Sequence, residues 1–128
     1  MVLDSSAIVA IHLREPGYER LIDRIEAAEV VVVGVPTLLE TVMLLTTRLG
    51  QDVRPMVFAF LRRLEAEVVS FNEEHLDAAA TAFLRFGRGR HPAALNFGDC
   101  MSYAVASVAG MPLLSTREDF KRTDIAQG

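Results

Sequence analysis

The sequence predicts a three-layer α/β/α domain with a mostly parallel central sheet. Short β-branched or Leu-rich runs, which read as buried strands, alternate with longer amphipathic stretches, which read as helices. Strands separated by helices imply βαβ units and a sheet covered on both faces. The chain has 128 residues, 51% of them apolar, which suffices for one core and leaves little room for a second. A single domain over residues 1–128 is expected.

Val2 and Leu3 form the first strand. Ser5 and Ser6 are placed to cap a helix reaching about Leu13, which Pro16-Gly17 ends. A second helix spans Tyr18 to Ala28, with Leu21, Ile22 and Ile25 on one side. Val30 to Val35 is the second strand, and Pro36 suits the first turn of a helix running to Arg48, with Gly50 just past its end. Asp52 caps the next helix, Val53 to Glu65. The third strand is Val68 to Phe71. Asn72 caps a helix whose first turn holds Glu73 and Glu74, where the helix dipole favours negative charge. After a loop over Phe86 to Pro92, a nearly uncharged helix from Gly98 to Ala109 is rich in Ala, Ser and Val and should be packed on all sides. Met111 to Leu114 is the last strand.

The formal charge of -4 and a pI near 5.3 exclude a protein that holds nucleic acid through a broad basic surface, so any such contact must be local. The single cysteine, Cys100, excludes an internal disulfide framework and a multi-cysteine zinc site, and reads as a small core residue. The apolar runs are too short for a membrane span, and Asp4 interrupts the place where a signal peptide would build its apolar region. A cytoplasmic protein with no membrane partner is expected. His12, His75 and His91 are scattered without metal-ligand spacing.

The acids carry the chemistry. In an open parallel sheet, functional groups gather at the carboxyl ends of the strands. Asp4 directly follows the first strand, where it is either a helix cap or a site residue. Glu40 is the only charged residue between Val30 and Thr47, among apolar neighbours that make a lone carboxylate costly unless something positive meets it. Asp99 opens the uncharged helix, and Asp119 follows the last strand. Clustered carboxylates repel, and a hard divalent cation with oxygen ligands, Mg²⁺ or Mn²⁺, is their natural partner. Asp4 and Asp99, which leave strand-end or helix-start backbone, are the expected closest ligands, with Glu40 and Asp119 acting through water. Such an ion polarises phosphoryl oxygens and lowers the pKa of bound water, the chemistry of phosphodiester hydrolysis. Arg85, Arg88 and Arg90, with His91, form the one dense basic group, read as either a solvated loop or a phosphate guide.

The opening MVLDSSAIVAI, the stretch VPTLLETVML with Glu40, the block GRGRHPAALNFGDCMSYAVA with Asp99 and the closing LLSTREDFKRTDI with Asp119 together resemble the PIN-domain ribonucleases, in particular the VapC-type toxins. The resemblance runs almost end to end. It implies a Mg²⁺- or Mn²⁺-dependent endoribonuclease, a homodimer, and inhibition by a partner antitoxin. Asp4, Glu40 and Asp99 match the three core acids of the family and Asp119 the usual fourth. The turn Ser115-Thr116-Arg117-Glu118 departs from the family pattern, so Glu118 competes with Asp119 for that role. Two other readings stand beside this one: a PIN-like binding module without catalysis, and a receiver-type phosphoacceptor domain, which would need a lysine late in the chain such as Lys121. For association, Tyr18 to Ala28 and Val53 to Glu65 are the expected surfaces.

Overall fold

Strand register divides the core into two halves. The computed structural model describes residues 1–128. Its strands β1 (Val2–Leu3), β2 (Val32–Gly34), β3 (Glu67–Val69) and β4 (Leu113–Leu114) are all parallel, in the order β3-β2-β1-β4. Because side chains alternate along a strand, Val2, Val32 and Leu113 face one layer, and Leu3, Val33 and Leu114 the other. The first set packs with α5 (Glu73–Phe86), α6 (Phe97–Ala109) and Phe120 of a 3₁₀ helix, Glu118–Arg122. The second set is covered by α1 (Ser5–His12), α2 (Tyr18–Glu26), α3 (Val35–Leu49) and α4 (Arg54–Arg63). The expected α/β/α layering is therefore present.

The chain lays down β1, β2 and β3 toward one edge, then crosses to place β4 on the other side of β1. This reversal sets the carboxyl ends of β1 and β4 side by side, the place where open α/β sheets bind ligands. It also excludes the receiver reading, whose sheet follows the order 2-1-3-4-5. Lys121 pairs with Glu118 on the surface instead of serving a strand end.

Several boundaries differ from the sequence reading, each for a local reason. Asp4, not Ser5 or Ser6, caps α1, accepting the Ser6 N–H at 3.1 Å. Asp52 precedes the cap of α4, where its carboxylate accepts the Arg54 N–H at 3.0 Å and also pairs with that guanidinium. Asn96 caps α6, so this helix starts at Phe97. Strand β3 is shorter than expected and lies at the sheet edge with Val68 47% exposed, because it pairs with β2 alone. The opposite edge is covered: Leu113 donates to Ala126 O and Gly128 donates to Leu113 O, both at 2.8 Å, so the C-terminal residues flank β4. Residues 118–122 form the 3₁₀ helix, with Phe120 fully buried at its centre.

Apolar surface is also distributed differently. The apolar residues Leu21 and Ile25 of α2 are buried, and α4 exposes only Met56 and Phe58. Leu39, Met43 and Leu44 on α3, Leu76, Phe83 and Leu84 on α5, and Phe97, 80% exposed, carry most of the rest.

Candidate active site

Asp4 ends β1 and is 1% exposed. A buried carboxylate needs donors, and here hydroxyls supply them. Ser102 Oγ, one turn beyond Asp99 on α6, donates to Asp4 Oδ1 at 2.5 Å. Ser6 Oγ donates to Oδ2 at 2.6 Å, and Ser115 Oγ lies 3.3 Å from the same oxygen. Thr37 of α3 meets Ser102 at 3.2 Å, so three elements converge on this acid. Capping and site placement are the same event at Asp4: the chain turns from β1 into α1 around its side chain.

Glu40 is half-buried on α3. Its Oε1 accepts Ser5 Oγ at 2.6 Å, and its Oε2 lies against Gly98 in the first turn of α6. The positive group expected beside Glu40 is thus no side-chain cation. What lies beside Glu40 is the first turn of α6, and the N-terminal end of a helix favours negative charge. A Cβ at residue 98 would overlap Glu40 Oε2. Gly98→Ala should therefore push Glu40 away and lower RNA cleavage by on the order of ten-fold or more, with melting changed far less. Steady-state cleavage rates and thermal melts of the two proteins check this.

Asp99 forms a capping box with Asn96: Asn96 N–H donates to Asp99 Oδ2 at 3.0 Å, and Asp99 N–H donates to Asn96 Oδ1 at 2.9 Å. Burial holds the Asp99 pKa above the ordinary carboxylate value, and the Asp4 and Asp119 charges add to this; the Asn96 bond and Arg117 oppose it. Arg117 links two acids: Nη2 donates to Asp119 Oδ2 at 2.6 Å, and Nε lies 3.1 Å from Asp99 Oδ1. Nε is buried and makes no hydrogen bond, so its attachment to Asp99 is one of charge alone. Burial acts to lower the Arg117 pKa, but the Asp119 bond and the surrounding carboxylates outweigh it and leave the guanidinium more basic than usual.

Ser5, Ser6, Glu15, Glu40, Asn96, Asp99, Thr116 and Arg117, with Val9 and Leu44, line a cleft of about 330 Å³. Asp4 is not among the lining residues but accepts a hydrogen bond from Ser6, which is. As arranged, no three acids are close enough together to hold an ion. The donor set nevertheless fits a hard cation: every acid offers oxygen, and the chain's own guanidinium already stands where positive charge is needed. Glu118 turns outward to Lys121 at 2.9 Å and is 75% exposed, whereas Asp119 is held by the cleft residue Arg117 and does not itself line the cleft.

The basic group lies outside the cleft lining. Arg85 pairs with Asp124 at 3.2 Å and stacks on Phe86, Arg90 lies over Phe83, and Arg88 is exposed. The histidines serve structure: His12 packs edge-on to Phe60, His75 completes the cap of α5, and His91 packs against Phe86. Cys100 is buried, and that burial, with the Asp99 charge, pushes its thiol up, as suits a core residue. Sequence reasoning missed Ser5, Ser6, Ser102, Asn96 and Glu15. The only available signal was the spacing of Asn96 and Ser102, each three residues from Asp99.

Comparison with known proteins gives the family. The family model for the PIN domain matches residues 1–126. The ribonuclease VapC30 of Mycobacterium tuberculosis is 39% identical over 126 residues, covering 98% of this chain and 96% of the relative. Among solved structures, M. tuberculosis VapC20, described as a sarcin-ricin loop cleaving toxin, matches with a TM-score of 0.79 at 18% identity, over 99% of this chain and 97% of that one. A chain of a toxin-antitoxin complex from Klebsiella pneumoniae matches with a TM-score of 0.67 at 15% identity, over 93% and 88%. A family match over nearly the whole chain and this level of identity lead to one conclusion: the chain belongs to the PIN-domain family, as a VapC-type ribonuclease.

Proposed function

We propose that the cleft is the divalent-metal site of this endoribonuclease, with Asp4 and Asp99 as the closest ligands and Glu40 and Asp119 acting at longer range. The observation that carries this reading is the Arg117 guanidinium bridging Asp99 and Asp119. Buried acids without a cation are unstable neighbours, and the chain meets that need with its own arginine. Mg²⁺ is the proposed ion, with Mn²⁺ as a substitute. When bound it would neutralise phosphate charge and supply a water of lowered pKa. Glu40 Oε2 makes no hydrogen bond, since Ser5 takes Oε1, and so is the atom placed to accept a proton from an attacking water. Ser102, Ser6 and Ser115 fix the Asp4 carboxylate so that its orientation costs nothing at the moment of reaction. Arg88 and Arg90 are proposed to guide the RNA backbone together with Arg85, whose charge is partly committed to Asp124.

The purified chain should cleave RNA with Mg²⁺ or Mn²⁺ and not with EDTA, and Asp4→Asn should lower the rate at least about 100-fold. Full activity in Asp4→Asn would remove this acid from the site, and no cleavage under any metal would favour the binding-module reading.

A homodimer within a toxin-antitoxin pair is proposed as the working assembly, in the cytoplasm. No helix is long and apolar enough to cross a membrane. The support for association is the set of large apolar side chains exposed on α3 and α5 and at Phe97. A dimer is expected by light scattering at tens of micromolar chain, and a monomer there would contradict it.

A further inference from the structure

We propose that Arg117 is an exchangeable internal counter-ion, which neutralises Asp99 in the metal-free protein and gives it up when a divalent cation binds. This rests on the metal reading of the site.

The two oxygens of Asp99 are not equivalent. Oδ2 is committed to the Asn96 N–H in the capping box. Oδ1 accepts no hydrogen bond and is the more open of the two to a metal, and it is the one that Arg117 Nε faces at 3.1 Å. A cation and the guanidinium compete for the same atom. The two attachments of Arg117 are unequal. Its bond to Asp119 is short, at 2.6 Å, and well directed, whereas the contact at Asp99 lacks a hydrogen bond. The Asp99 end is the one that lets go.

Release needs a path and a reason. The path is present, because the Arg117 side chain is 37% exposed at the cleft wall. The backbone is held, since Arg117 N–H donates to Ser115 Oγ at 3.0 Å and Thr116 N–H donates to Ser6 Oγ at 3.1 Å, so the movement is confined to the side chain. The reason is charge. The Asp99 side chain is only 4% exposed, and leaving it without a positive neighbour is costly. Arg117 is the only basic residue lining the cleft. It therefore departs only as another cation arrives.

Arg117→Met keeps the length and apolar stem of the side chain and removes the charge. By calorimetry at neutral pH, Mn²⁺ should bind this variant on the order of ten-fold more tightly than wild type, because both competition and repulsion are gone. The metal-free variant should melt below wild type, and saturating Mn²⁺ should remove most of the difference. Arg117→Lys, which keeps the charge, should bind Mn²⁺ close to the wild-type level. Mn²⁺ binding to wild type with equal or weaker affinity in Arg117→Met would overturn the exchange while leaving the metal site intact. Binding to neither protein would overturn the metal reading and the exchange with it. If Arg117→Met does not fold, Arg117→Gln, which retains a donor for Asp119, is read in the same way.

Discussion

Asp99→Asn should reduce RNA cleavage at least about 100-fold while making the metal-free protein more resistant to heat than wild type. The two effects share one cause. Asp99 is buried beside two other acids, and its folded-state pKa is raised above the unfolded value, chiefly by burial. Folding thus favours the protonated form, and the charged form is carried at a cost. Asparagine keeps an oxygen for the Asn96 N–H and so preserves the capping box, and Arg117 retains Asp119. The sign with pH follows. The favourable contribution of a protonated Asp99 is complete below the unfolded pKa, and it is lost as pH rises through the raised folded value. The melting advantage of Asp99→Asn should therefore be smallest near pH 4 and grow toward pH 7, without metal. Melts in EDTA across that range check it. A variant less stable than wild type at pH 7 would contradict the burial argument.

Phe120→Ala should cost about 3–5 kcal/mol of stability. Phe120 is fully buried against the α5 and α6 half of the core, at the centre of the 3₁₀ helix. Its carbonyl also accepts Thr123 Oγ1 at 2.7 Å and Gln127 Nε2 at 3.2 Å, so it ties the C-terminal residues beside β4. For a domain of this size the melting temperature should fall by roughly 10 °C or more. Asp119 precedes Phe120, so cleavage should fall even where the variant remains folded. A melting change of only a few degrees would mean that the segment is held by its hydrogen bonds alone.

The acids drew attention because each stands out against apolar sequence: Asp4 after Val2-Leu3, Glu40 with no other charge between Val30 and Thr47, Asp99 opening a nearly uncharged helix. The layering was legible because the alternation of strand and helix is local. What escaped was set by long-range contact. Ser102 looks like one more small residue of a tightly packed helix, and only the fold brings it to Asp4, 98 positions away. Arg117 reads as part of a polar turn until β4 is placed beside β1. Hydrophobic runs do not encode strand order, so β3 could not be recognised as an edge, nor α3 and α5 as the helices left with exposed apolar faces. Glu40 shows the limit from the other side: no side-chain cation pairs with it, and what lies against its Oε2 is Gly98 in the first turn of α6, which no side chain announces.

Hydrolysis by a water delivered with a divalent cation leaves its record in the chemistry of the cut RNA ends. A reaction through the ribose 2′-hydroxyl calls for an acid-base pair such as two histidines, and here all three histidines lie outside the cleft in packing or capping roles. End-group analysis of RNA cut by the purified protein should show 5′-phosphate and 3′-hydroxyl termini, formed with Mg²⁺ or Mn²⁺ and not with EDTA. Termini bearing 2′,3′-cyclic phosphate, produced equally well in EDTA, would contradict it.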